Sequence, residues 1–325
     1  MAAGTGQQTE ISVSQESTWA GALTGGSTVD WPAFEDPEWG YNQSTSVIRN
    51  ILSAASIKDV AFGLRYVEGR IRGVLDYSNQ TIIWKNIFGS ANASADGLIS
   101  QFDFALRGSL PTGVQIDFRH TDLTHTYDLN GCKFNRMQLS MNAGEGLQYE
   151  FGFIGKDAGY TASVAGSSAQ ADEELITSDD FGFSIFGDTS VCVNSFTLTL
   201  DQPLNTDQAC IGSTLTLTNE PGRSDQRTIT MEFEIEFEDS AHWTDFVNKT
   251  VGVISMGSIG ETARSGGSTH NRFALYAPRC RVLGWSLPIG GPGRILQRVS
   301  MQALQNTTAG DELTLQIKNS HSRTV

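Results

Sequence analysis

Residues 227–238 read RTITMEFEIEFE, and this stretch decides the fold. Ile229, Met231, Phe233, Ile235 and Phe237 alternate without a break with Thr228, Thr230, Glu232, Glu234, Glu236 and Glu238. A period of two puts the apolar set on one side of a strand and the polar set on the other; a helical turn would mix them around its circumference. The stretch reads as a half-buried β-strand, apolar toward a core and carboxylate-bearing toward water.

Strand signals continue in both directions. Residues 191–200 (VCVNSFTLTL) set Phe196, Leu198 and Leu200 against Ser195, Thr197 and Thr199, and 213–219 is a shorter alternating stretch. Further strands are expected at 60–67, 70–75, 98–106, 114–119, 132–141, 147–154, 273–285, 295–303 and 312–318. Residues 132–141 also align with 191–200, through either shared strand chemistry or an internal duplication. Two helices interrupt the pattern. One spans 80–88, with Asn79 as its cap, Ile82, Ile83 and Ile87 on one face, and Gly89 as its stop. The other starts at Ser240 and carries Trp243, Phe246 and Val247 at helical spacing. Residues 47–57 fit helix or strand.

The first 45 residues are polar and Gly-rich with no sustained period, and are expected to form an irregular N-terminal arm. Residues 46–325 then form a single β domain, with a small, polar, acidic loop inserted near 157–180. The fold class expected is mainly β.

Composition narrows the function. The chain has 325 residues, with 22 basic against 36 acidic and a formal net charge of −14. A protein that grips phosphates needs clustered Lys and Arg, so that class is disfavoured. Apolar residues at 39% and 17 Phe suffice for a core, and 34 Gly against 8 Pro point to many turns. No segment approaches the ~20 apolar residues of a membrane-spanning helix. The first residues have neither a basic start nor an apolar stretch, so no secretory signal is read there. Cys132, Cys192, Cys210 and Cys280 form no C-x-x-C pair and are expected to be reduced and mostly buried.

Chemistry-bearing motifs are few. His120, Asp122 and His125 in RHTDLTH match no ligand spacing and read as a polar turn or strand end. No nucleophile elbow, phosphate loop or H-E-x-x-H is present, so no catalytic residue, cofactor or metal site is expected. The row Glu232, Glu234, Glu236 and Glu238 is the sharpest feature. Three readings stand: a solvated outer face, the wet acidic lining of a channel, or paired carboxylates for glycoside hydrolysis. The last needs two acids in different environments across a cleft, which a uniform row does not supply.

The order of these elements resembles the major tail tube protein of long-tailed, siphovirus-like bacteriophages. The likeness is carried by QESTWAGA near the start, by the run from Gly69 through Asn79 into IIWKNIFGS, and by GDTSVCVNSFTLTLDQ. It continues in TITMEFEIEFEDS leading to HWTDFVNK, then ALYAPRCRVLGWSLPIGGPGRILQRVSMQAL and DELTLQIKNS. The resemblance implies a β-sandwich or half-barrel with a flanking α-helix and no enzymatic activity. It implies hexameric rings of this chain stacked into a tube, with tape-measure, tail-tip and tail-terminator proteins as neighbours. Double-stranded DNA would pass through transiently without specific binding, in a virion tail assembled in the host cytoplasm. On that reading the glutamate row faces the lumen or its rim, and the Trp243/Phe246 helix packs beneath it. The alternative is a tail-tip, receptor-binding or carbohydrate-binding β module.

Overall fold

The computed structural model describes residues 9–23, 29–48, 59–77, 80–96, 99–106, 108–161, 174–208, 215–262, 270–289, 293–306 and 311–319. Its first strands are β1 (Thr9–Gln15), β2 (Val29–Asp30), β3 (Glu38–Ile48) and β4 (Asp59–Val74), followed by helix α1 (Thr81–Phe88). Then come β5 (Ala91–Asp96), β6 (Ile99–Ala105), β7 (Val114–His120), β8 (His125–Asn142), β9 (Gln148–Gly155) and β10 (Asp157–Thr161). The second half contains β11 (Phe181–Ile185), β12 (Val193–Asp201), β13 (Thr228–Glu236) and helix α2 (Ala241–Asn248). It closes with β14 (Val251–Thr262), β15 (His270–Ser286), β16 (Leu296–Ala303) and β17 (Thr314–Asn319).

The protein is mainly β, as expected, and all the described strand pairings are antiparallel. The main sheet runs β3-β4-β9-β8-β12-β13-β16-β15-β14-β11. Two long strands leave it. The first half of β8 pairs with β7 and β10, and β7 leads on to β1 and β2. The first half of β15 pairs with β17, which leads to β6 and β5. Helix α1 contacts β1, β2, β5, β6 and β8, and so lies between these two wings. One continuous apolar cluster joins the main sheet, both wings and α1.

Several expectations are corrected by this arrangement. Within the supposed irregular arm, Thr9–Gln15 is a strand paired along its whole length with β7, and Ile11 and Val13 are fully buried. Only two apolar residues alternate there, so the signal is short; its partner lies about a hundred residues downstream. The supposed 157–180 loop is structured at both ends. β10 extends the β9 hairpin along β8, while Ile176 is buried and bonded to Leu75 and Leu147. Residues 162–173 lie outside the described set, as do 49–58 of the ambiguous 47–57 stretch. The strand read at 213–219 is reduced, over 215–219, to one isolated bridge between Thr216 and Arg65.

The helices also differ from expectation. Seven of the eight α1 residues are buried, so this helix is a core element. Asn79 lies outside the described residues; the cap comes from Asp30, whose Oδ2 accepts from the backbone N–H of Ile82 and Ile83 at 2.7 and 3.1 Å. Gly89 ends the helix at φ 88°, a conformation Gly adopts without steric cost. In α2 only His242 is buried, and Trp243, Phe246 and Val247 are 46%, 38% and 52% exposed. The packing of this helix beneath the glutamate strand is therefore wrong. The apolar side of β13 packs instead on aromatic residues of β11 and β12, with Phe233 6.2 Å from Phe183 and 6.5 Å from Phe196.

Candidate functional site: the polar face of the main sheet

Strand β13 sits mid-sheet between β12 and β16, so its outward side chains meet neighbours on both flanks. Glu232 lies between Thr197 and Ser300, Glu234 between Ser195 and Arg298, and Thr230 between Thr199 and Gln302. The same face continues through β12 to β8, where Thr197, Thr199 and Asp201 oppose Ser140, Gln138 and Arg136. It then crosses β9 to β4, where Gln138 opposes Glu150 and Glu150 opposes Arg72. Each strand buries the alternate residues on the other side, including Met137, Leu139, Leu198, Leu200, Met231 and Phe233. Strict alternation on adjacent antiparallel strands makes one continuous wet face over one dry one. The two similar stretches, 132–141 and 191–200, fall largely in β8 and β12, which pair with each other and share these two environments.

Carboxylates two apart on a strand stand ~7 Å from each other, and each such pair repels by roughly 0.6 kcal/mol in water. Two arginines offset this. Arg298 Nε donates to Glu234 Oε1 at 2.8 Å, with Ser195 Oγ at 3.5 Å from the other oxygen. Arg294 Nη2 donates to Glu236 Oε2 at 2.5 Å and also lies 3.0 Å from Cys192 Sγ. The Arg294 hydrogen bond holds the Glu236 carboxyl below its ordinary range, and Glu236 in turn raises Arg294. Glu238 falls past the end of β13 on exposed chain, so the in-strand row is three residues and not four. Beside the row, Glu232, Glu234, Arg298, Ser300, Thr197 and Trp285 help line a shallow concavity of about 480 Å³.

The sequence reading found the glutamates but missed Arg294 and Arg298. The signal for Arg298 lies in LQRVSMQA, where Val299, Met301 and Ala303 alternate with Arg298, Ser300 and Gln302. Placing it opposite Glu234 requires the β13–β16 register, which no local pattern encodes. His120 and His125 close the β7–β8 hairpin, as the polar-turn reading had it. His120 lies 3.0 Å from Thr9 Oγ1, and His125 the same distance from Tyr160 Oη. Cys132 and Cys280 are buried and Cys192 is exposed, so two of the three described cysteines fit the mostly buried expectation, and Cys210 lies outside the described residues; burial pushes the Cys280 thiol up to about 12. Among the described residues no group of three His, Cys, Asp or Glu side chains is placed to hold a metal ion. No described helix is long and apolar enough to cross a membrane.

An all-antiparallel scaffold whose main sheet is polar on one face and apolar on the other defines a mainly β protein. The comparison with known families agrees: residues 6–303 match the phage tail tube protein family, and the chain belongs to it. That family is structural and not known for enzymatic activity, and membership implies self-assembly into a tube and a place in the virion tail. The comparison with curated proteins gave no match.

Proposed function

We propose that this chain is the major tail tube subunit, assembling as hexameric rings that stack into the conduit for double-stranded DNA. The polar face of the main sheet lines the bore, with Glu232, Glu234 and Glu236 among its wall residues. The observation that supports this reading is the continuity of that face, which is rich in hydroxyls and amides and, among the described residues, sets Arg70, Arg136, Arg294 and Arg298 beside carboxylates. A duplex meeting such a wall finds little to release its counterions, so it slides without sticking.

Assembly follows from what the fold leaves uncovered. Among the described residues β3 pairs only with β4, β5 only with β6, and β11 only with β14, so each presents an open edge. Open edges are templates for pairing with another chain. Apolar side chains are exposed as well: Val60 and Phe62 on β4, Val47 on β3, and Trp243 and Val247 on α2. Subunits assemble in the host cytoplasm, and the finished tube meets tape-measure, tail-tip and tail-terminator proteins. Negative-stain microscopy of the concentrated protein tests the reading. Stacked rings of constant bore are expected, and discrete monomers or trimers at every concentration would overturn it.

A further inference from the structure

The ion pairs on β13 assign the glutamate row a second task. We propose that Glu234 and Glu236 are internal counter-ions that neutralise Arg298 and Arg294, denying a passing duplex two cationic contacts per subunit. This rests on the reading above that the face lies beside DNA.

The geometry carries the argument. The arginine side chains stand outermost: Arg298 is 64% exposed over a Glu234 that is 29% exposed, and Arg294 is 49% exposed over a Glu236 that is 34% exposed. A duplex nearing this face therefore meets guanidinium groups before it meets the carboxylates behind them. Both contacts are charge-assisted hydrogen bonds at 2.5–2.8 Å. Exposed pairs of this kind add little to folding, so stability does not explain two of them side by side.

Their effect on a phosphate is larger. Three carboxylates and two guanidiniums leave the patch with one net negative charge. If a guanidinium swings out to a phosphate, it uncovers a carboxylate next to that same phosphate, so the exchange gains nothing. Glu232, set between Thr197 and Ser300 with no ion pair among the described residues, supplies the residual repulsion. The pattern recurs across the sheet, where Arg136 lies 3.7 Å from Asp201 and Arg70 lies 3.1 Å from Glu38. The row thus works by cancelling nearby cations as well as by repelling DNA.

The test compares full-length wild type with E234Q/E236Q, R294Q/R298Q and the quadruple variant. Each is mixed with a fluorescent 30-base-pair duplex, followed by co-sedimentation and anisotropy across a salt series. E145Q/E238Q, which changes net charge equally without freeing these arginines, is the control. Thermal midpoints confirm that every variant folds, and electron microscopy of the same samples shows which way the face points. E234Q/E236Q should bind at least ~10-fold tighter than wild type at low salt. Its log–log salt slope should be steeper by about 1.8, the increment for two new phosphate contacts. The quadruple variant and the control should match wild type. The proposal is overturned if E234Q/E236Q binds no tighter, or if either the quadruple variant or the control shows the same gain. A face found on the outside of the tube would defeat the conduit reading while leaving the counter-ion comparison intact.

Discussion

Helices α1 and α2 are both eight residues long, both amphipathic, and both end on a left-handed residue, Gly89 in one and Lys249 in the other. One is buried almost entirely; the other buries a single side chain. Trp84 of α1 lies 5.2 Å from Phe151 and 6.2 Å from Phe273, joining two parts of the sheet through one ring. Trp243 of α2 is nearly half exposed. An apolar stripe on a short helix therefore states only that something covers it. Among the described residues the covering surface exists for α1, whereas the Trp243, Phe246 and Val247 stripe of α2 stays exposed.

That contrast is breakable, and the largest effect lies in α1. Trp84→Ala should cost about 3–5 kcal/mol in denaturant unfolding of dispersed subunits, the range for deleting a large, fully buried aromatic. Asp30→Ala removes the distant cap of α1 and should cost about 1–2 kcal/mol by the same measurement. Trp243→Ala should change stability by no more than ~0.5 kcal/mol, as expected for an exposed position. The paired change W243D/F246D should leave unfolding equally unaffected but raise the concentration needed for tube formation at least ~10-fold by light scattering. A Trp243 variant as destabilised as the Trp84 variant would erase the comparison.

The smallest effect is electrostatic. The Glu236 carboxyl is lowered by Arg294, so the pair's contribution is complete above the carboxyl's ordinary value of 4.5 and disappears as pH falls through its depressed value. Arg294→Ala should move the Glu236 titration upward toward 4.5 in side-chain carbonyl NMR. An unmoved titration would show that the pair is not formed in solution.

What could be read in the sequence follows physical range. The β13 strand was legible because nine residues alternate without interruption, and the stop of α1 was legible because Gly89 carries its own conformational signature. Strand β14 was not, since VGVISMGSIGET is diluted by Gly and Ser. Gly257 within it is required by the close approach of the β15 backbone at Phe273 and Ala274, a tertiary fact. The same holds at the site. Glu232, Glu234 and Glu236 announce one polar face, whereas the arginines that answer them are about sixty residues away and become partners only through the β13–β16 register. The fate of the Trp243 stripe was equally out of reach, because an amphipathic pattern names a buried side and not its partner.

The central claim is that the polar face of the main sheet lines the bore of the tube. A cryo-electron microscopy reconstruction of the assembled protein tests it most directly, by locating β13. The account predicts Glu232 and the Arg298–Glu234 pair on the inner wall, with α2 covered by another subunit or lying outside the bore. A reconstruction with β13 facing outward, or with its polar side buried between subunits, would contradict it.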